Sequence, residues 1–361
     1  MKRKVSLFIT LVLVSTLVLT ACGSDAPAEE AAVEESEAVV EEEAPKADAE
    51  AGDGAKVIGL ASFQQGNDWN IQVADGVKAK AAELGWEVIQ TNAETNSDAQ
   101  LTALEGFLSQ GVDGVVIPGG MAPALEPIIK EFKEAGIPVT TVDLTSLDAV
   151  TNIFPDNYMS TELLAVYAVN KMNAVPGVYT HLSIPDSGWK TVDIRDKVAD
   201  LVFEIEGWEL TGWLDTGLAD AVNQSMTATR STLLANPDVD LIYTSWGMPA
   251  VGAANAIRDA EMQDSVFILC TDADRIVLAE MMEEDSPIAG VIGQRPLDMG
   301  EMAVDFLAKA FAGDKDIPKI AFAPFYFVTK HPELLPPGVA ALSPEEAWDK
   351  LYPDVELGEL N

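Results

Sequence analysis

The sequence predicts an α/β protein of two doubly wound parallel-sheet lobes, and three observations carry that expectation. Short apolar runs of strand length alternate with longer stretches of helical periodicity from Lys56 to Val328. About three hundred residues remain once the N-terminal segments are set aside, more than one ordinary core accommodates. The stretch from Gly111 to Asp143 displays the repeating unit in full. Gly114–Ile117 and Pro138–Val142 suit strands buried on both faces. Between them Leu125, Ile128, Ile129 and Phe132 recur at three- and four-residue spacing, so one stripe of a helix can cover the sheet, and Gly136 is placed to end it. Parallel strands need such a crossover. The second strand ends on Asp143, a carboxylate at the carboxyl end of a strand, where open α/β sheets bind ligands.

Taken in order, Lys2, Arg3 and Lys4 precede an apolar run from Val5 to Leu19, the layout of a secretory signal peptide over residues 1–21. A single membrane span is the competing reading, but about seventeen residues fall short of the roughly twenty that spanning takes. Leu19-Thr20-Ala21-Cys22 resembles the bacterial lipobox, which implies lipidation of Cys22 as the first residue of the mature chain. Acyl chains, at about 0.8 kcal/mol per buried methylene, would then hold the protein to the outer face of the cytoplasmic membrane. Residues 23–54 carry twelve acids against Lys46 and have almost nothing to bury, the composition of a self-repelling, disordered tether; a partial helix over Glu29–Ala44 is opposed by Glu-on-Glu repulsion.

The chain's formal charge is −37, of which the signal contributes +3 and the tether −11, leaving −29 on the folded part. Such a body repels nucleic acid, which excludes that class of partner. With Cys22 taken by lipid, Cys270 in the apolar run Val266–Cys270 is expected to be an unpaired buried thiol.

The first half reads as strand Lys56–Ser62, helix Asp68–Leu84, strand Trp86–Thr91 and helix Asn96–Gln110, followed by the unit described above. The second half begins with a short strand near Asn152–Phe154, helix Thr161–Asn173, strand Val178–Ile184, helix Val192–Glu206 and strand Trp208–Leu214. It continues with helix Ala219–Ala235, strand Asp240–Thr244, helix Ala250–Ala260, strand Val266–Cys270, helix Arg275–Glu284, strand Ile288–Ile292, helix Leu297–Phe311 and strand Ile320–Val328. From His331 the chain is an extension whose Ser343-Pro344-Glu345-Glu346 is a strong helix start, predicting a short helix on the outside of a lobe with Trp348 in a packing role.

Three of the seven tryptophans, Trp69, Trp189 and Trp246, follow strand ends on the edge where ligands bind, whereas Trp86, Trp208 and Trp213 fall at or within strands and are expected in the core. With Asp143 and Asp272 beside them they offer stacking faces and acceptors, which match the C–H faces and hydroxyl donors of sugars and polyols. A cation caged by the same groups is the rival ligand. Catalysis has little to build on: His181 and His331 are the only histidines, and no nucleophile elbow, Cys–His pairing or dinucleotide fingerprint is visible. His181 lies mid-strand and reads as structural. No cofactor is expected, and Asp272-Ala-Asp274 reads as a loop or helix cap in preference to a metal site.

Five segments in order, KVIGLASFQQGNDW from Lys56, AGIPVTTVD ending on Asp143, NPDVDLIYTSWGMPAVGAANAI, VFILCTDAD and IAGVIGQRPLDMG, resemble the periplasmic sugar-binding proteins of the ribose-binding type, receptors of ABC importers. The resemblance runs from about Lys56 to Lys330. It implies two lobes joined by a three-crossing hinge, 55–156 plus 295–323 and 157–294 plus 324–330, closing on a ligand between them. It places ligand contacts at Ser62, Asn67, Trp69, Asp143, Asp272 and Gln294. The family's second clamping Arg falls on Lys197 or on Arg195, Leu144 stands where an Arg often follows Asp143, and Trp246-Gly247 replaces an Asn-Asp pair; each change removes a forked donor or adds a flat apolar face, which argues against ribose itself. The implied function is capture of a small neutral sugar or polyol by a monomeric, lipid-anchored receptor that delivers it to a membrane permease and its ATPase. A cationic amine, a nucleoside or an autoinducer-like molecule are the alternative ligands, and an enzyme on the same fold the alternative class.

Overall fold

The computed structural model describes residues 55–184, 189–217 and 220–356; the expected signal segment, Cys22 and the acidic tether lie outside the described residues. Among the described residues no helix is long and apolar enough to cross a membrane.

The first sheet is built from β1 (Val57–Ser62), β2 (Glu87–Asn92), β3 (Gly114–Pro118), β4 (Val139–Val142), β5 (Thr151–Pro155) and β11 (Ile320–Ala323), in the order β11-β5-β4-β3-β1-β2, all parallel. Its crossovers are α1 (Asp68–Glu83), α2 (Ser97–Gln110) and α3 (Ala122–Glu134), joined late by α9 (Pro296–Phe311). The apolar stripe foreseen for α3 is the buried one, with Leu125, Ile128, Ile129 and Phe132 at 0–3% exposure. The second sheet holds β6 (Val178–Ser183), β7 (Glu209–Asp215), β8 (Leu241–Thr244), β9 (Phe267–Thr271), β10 (Ile288–Gln294), β12 (Phe325–Val328) and β13 (Ala341–Leu342), in the order β13-β12-β10-β9-β8-β6-β7. Around it lie α4 (Asn157–Lys171), α5 (Lys190–Ile205), α6 (Ala221–Ala235), α7 (Gly247–Asp259), α8 (Arg275–Met282) and α10 (Pro344–Leu351). In each sheet the winding reverses beside the first strand, between β1 and β3 and between β6 and β8, the switch points at which open sheets leave a crevice.

The chain passes between the sheets three times, after β5, β10 and β11. The last passage corrects one expectation. Ile320–Val328 is not one strand: Pro324, which has no N–H to give a ladder, separates β11, parallel on β5, from β12, antiparallel on β10. The return of α9 to the first sheet rests on a very close contact with α1, where a Cβ built on Gly76 would lie 2.0 Å from the carbonyl oxygen of Leu297 and one on Gly300 2.1 Å from that of Val73. Only a residue without a side chain lets the two backbones approach this far.

The C-terminal segment is more than an external addition. β13 extends the second sheet beside β12, and Trp348 and Tyr352 enter the apolar core formed with Ala273, Val277 and Leu278. The helix start behaves as its residues dictate: Ser343 Oγ accepts from the Glu346 N–H and Glu346 reaches back to the Ser343 N–H. Ser343→Ala is therefore expected to lower stability by about 1 kcal/mol, read as a shift in the urea midpoint. Cys270 is free and buried, as expected, and burial pushes its thiol pKa well up.

Candidate functional site

The carboxyl ends of both sheets face one cleft of about 1000 Å³. Asn67, Trp69, Asp143, Trp189, Arg195, Trp246, Asp272 and Gln294 all line it, so eight of the ten contacts expected from the sequence converge. Two do not. Ser62 is buried beneath the end of β1, where its hydroxyl accepts from Gln65 and Gln90. Lys197 is exposed on α5, because two positions along a helix is more than half a turn from Arg195.

Both acids sit on positive φ, Asp143 at 54° just after β4 and Asp272 at 77° just after β9. Asp tolerates this left-handed conformation better than most residues, but it is still held by its surroundings. The turn takes each chain off its strand and onto the cleft wall. Asp143 receives a hydrogen bond from the Thr191 hydroxyl of the opposite sheet's α5. Loss of solvent raises its pKa, against the lowering effects of Thr191 and the Arg195 charge.

Across the floor runs a continuous polar chain. Trp69 Nε1 donates to Gln294 Oε1 at 2.9 Å, Gln294 Nε2 donates to Asp272, and Asp272 lies 3.6 Å from Arg195 Nη1. Arg195, only 3% exposed, also donates to Asn157 Oδ1 at 2.8 Å and to the Ser245 carbonyl at 2.9 Å. Gln294 thus spends both ends of its amide on protein groups and fixes Trp69 against Asp272. Asn67 caps α1, its Oδ1 accepting from the Asn70 N–H at 3.0 Å, which leaves its amide nitrogen to offer a ligand.

Several cleft residues escaped the sequence reading. Arg275 grips Asp68 with both prongs of its guanidinium, Nε at 2.9 Å and Nη2 at 2.6 Å, joining α8 to α1 across the cleft. Nothing local in the sequence couples positions 207 residues apart. Behind Arg195 lies a second polar cluster. His181, fully buried, meets Asp200 at 3.0 Å, Asp196 at 3.1 Å and Ser245 at 3.0 Å. Burial pulls the imidazole pKa down, but the two carboxylates carry it above its usual value. The structural role expected for His181 is what its partners describe. Trp213 corrects another expectation: it is 37% exposed on β7, the sheet edge, and lies flat on the His181 ring at 4.1 Å instead of filling the core.

Residues 58–315 match the model of the periplasmic binding protein domain. The chain belongs to the periplasmic binding protein family. Curated relatives of this binding protein include the ribose import binding protein of Bacillus subtilis, 22% identical over 76% of this chain and 87% of that one. The galactofuranose-binding protein of Escherichia coli is 21% identical over 61% and 71%. Among solved structures, a periplasmic ribose ABC transporter protein from Conexibacter woesei superposes with a TM-score of 0.70 at 22% identity, covering 77% of this chain and 93% of that one. A solute-binding protein from Agrobacterium vitis with bound allitol gives 0.69 at 21%, covering 77% and 96%. These similarities fix the binding protein's fold as two parallel-sheet lobes of the type I arrangement, with the cleft at the position that its own strand order dictates.

Proposed function

We propose that the chain is an extracytoplasmic lipoprotein, anchored through Cys22, that encloses a small sugar or polyol between its lobes and hands it to the permease and ATPase of an ABC importer. The observation that carries this reading is the convergence of Trp69, Trp189 and Trp246 with Asp143, Asp272 and Arg195 on one cleft spanned by both sheets. Aromatic rings cover the C–H faces of a sugar, while carboxylates and a guanidinium take its hydroxyls as donors and acceptors. The sugar-binding relatives support the same class of ligand. In this reading each sheet with its helices is one lobe, bounded as 55–156 plus 295–323 and 157–294 plus 324–330, and the Asp68–Arg275 and Asp143–Thr191 contacts belong to the closed state. Closure without reaction is the proposed mechanism, consistent with a His181 committed to Asp196, Asp200 and Ser245.

A thermal-shift panel of sugars, polyols, nucleosides and quaternary amines tests the ligand class, since a ligand at about a hundredfold over its Kd adds roughly 2.7 kcal/mol. Stabilisation by a sugar or polyol is the expected result, and a response confined to simple amines or nucleosides would overturn it. Asp143→Asn is expected to weaken the ligand about tenfold or more while the protein stays folded, the usual loss when a charged acceptor is removed. Titration calorimetry showing equal affinity would take Asp143 out of the site.

A further inference from the structure

Beside the main cleft opens a recess of about 10 Å³, room for one water-sized group, lined by Trp69, Asp272, Asp274, Gln294 and Tyr352. It shares Trp69, Asp272, Asp274 and Gln294 with the cleft, so a substituent of a solute held there can reach it. The charges around it are unequal. Asp68 is matched by Arg275 in a two-pronged pair, and Asp272 stands 3.6 Å from Arg195. Asp274 is the N-cap residue of α8, where its carbonyl oxygen accepts from the Val277 and Leu278 N–H groups, but its carboxyl group makes no cap hydrogen bond and no ion pair among the described residues. Asp143 on the opposite wall has the Thr191 hydroxyl as its hydrogen-bond donor. Two carboxyl groups therefore face the solute space outside any ion pair, their nearest guanidinium groups being engaged with Asp272 and Asp68. One of them sits in a recess of ammonium size lined by Trp69 and by Tyr352, whose ring has the Arg275 guanidinium 6.0 Å from its centroid.

Resting on the sugar or polyol reading above, we propose that the solute is an amino sugar or amino polyol whose single ammonium group occupies this recess, paired with Asp274 and contacting Trp69, while its hydroxyls fill the main cleft. A carboxylate and an aromatic ring around one small cavity satisfy an ammonium through charge-assisted hydrogen bonds and attraction to the ring. A hydroxyl there can make only neutral hydrogen bonds with the protonated Asp274 and gains no charge-assisted pairing.

The pairing carries a proton with it. Loss of solvent, then Asp272 and Asp68, push the Asp274 carboxyl up to about 8 against the opposing Arg275, with Tyr352 packed on the same side. Near pH 7 the empty site holds that proton, and an arriving ammonium expels it. Affinity for the amine accordingly rises from pH 6 to pH 8, while affinity for a neutral sugar does not follow this course.

The test is titration calorimetry at pH 7 in two buffers of different ionisation enthalpy. The probes are glucosamine, galactosamine and 1-amino-1-deoxysorbitol, each against glucose, galactose or sorbitol, with N-acetylglucosamine and choline alongside. The expected result is at least one amine binding tenfold or more tighter than its hydroxyl parent, with protons released on binding. In Asp274→Asn that advantage and the proton release should collapse together. If the variant does not fold, the wild-type protein's preference for the amine over its hydroxyl parent, together with proton release on binding, decides the matter. Neutral parents that bind as tightly as the amines, or amine binding without proton release, would overturn the ammonium site and leave the sugar reading standing. Binding of choline alone, or of none of the carbohydrates, would sink that reading and the inference with it.

Discussion

Arg195→Leu is expected to destabilise the protein by about 3–5 kcal/mol, the usual consequence of removing one partner of a buried charged network. The guanidinium is 3% exposed and serves Asn157, the Ser245 carbonyl and Asp272 at once. Leucine fills part of the volume but leaves the Asn157 and Ser245 oxygens without donors and Asp272 without its cation, each a desolvated group with nothing to replace water. Asn157 opens α4, the first element after the chain's first passage between sheets, and Asp272 sits on the floor of the cleft, so stability and ligand binding should fall together. Arg195→Lys should recover little, because an ammonium cannot present two donors in the fixed directions these acceptors require. Lys197→Ala, exposed on the same helix, should stay within about 0.5 kcal/mol of wild type. Urea denaturation of the three variants checks the ordering; equal effects at 195 and 197 would refute it.

Gly76→Ala should cost about 3 kcal/mol, at the upper end of ordinary overpacking. The added methyl would meet the Leu297 carbonyl oxygen at 2.0 Å, and what it strikes is backbone, which cannot turn aside as a flexible side chain can. The facing Gly300 leaves the same choice, since its own Cβ would strike Val73. Relief requires α9 to move away from α1, and α9 begins two residues after Gln294, which holds Trp69 to Asp272. The variant should therefore weaken ligand binding as well, although position 76 is absent from the cleft. Retention of wild-type stability would mean that the helices do not approach as closely as described.

How much of this was legible in the sequence differs from element to element for physical reasons. The unit from Gly111 to Asp143 could be read because burial on two faces of a strand and on one stripe of a helix imposes spacings that local sequence displays. Asp143, Asp272 and the three cleft tryptophans could be read because a parallel sheet sends all its strand ends to the same edge. Choosing between Arg195 and Lys197 needed the phase of α5 relative to the cleft, which charge does not reveal. Trp213 was misplaced because hydrophobicity says nothing about whether a strand lies at a sheet's edge. Pro324 was visible, but its consequence, a change of sheet within what reads as one strand, depends on the partners of Ile320–Ala323 and Phe325–Val328. The Asp68–Arg275 pair and the Gly76–Gly300 contact join segments more than two hundred residues apart and leave no local signature.

The most direct test of enclosure between the lobes is a crystal structure of the protein grown with the tightest ligand from the carbohydrate panel. The account predicts one polyhydroxylated molecule shut between the two sheets, with Trp69 or Trp246 against its C–H face and Asp143 and Asp272 accepting from its polar hydrogens. A ligand seated elsewhere, or lobes that close with the solute outside, would contradict it.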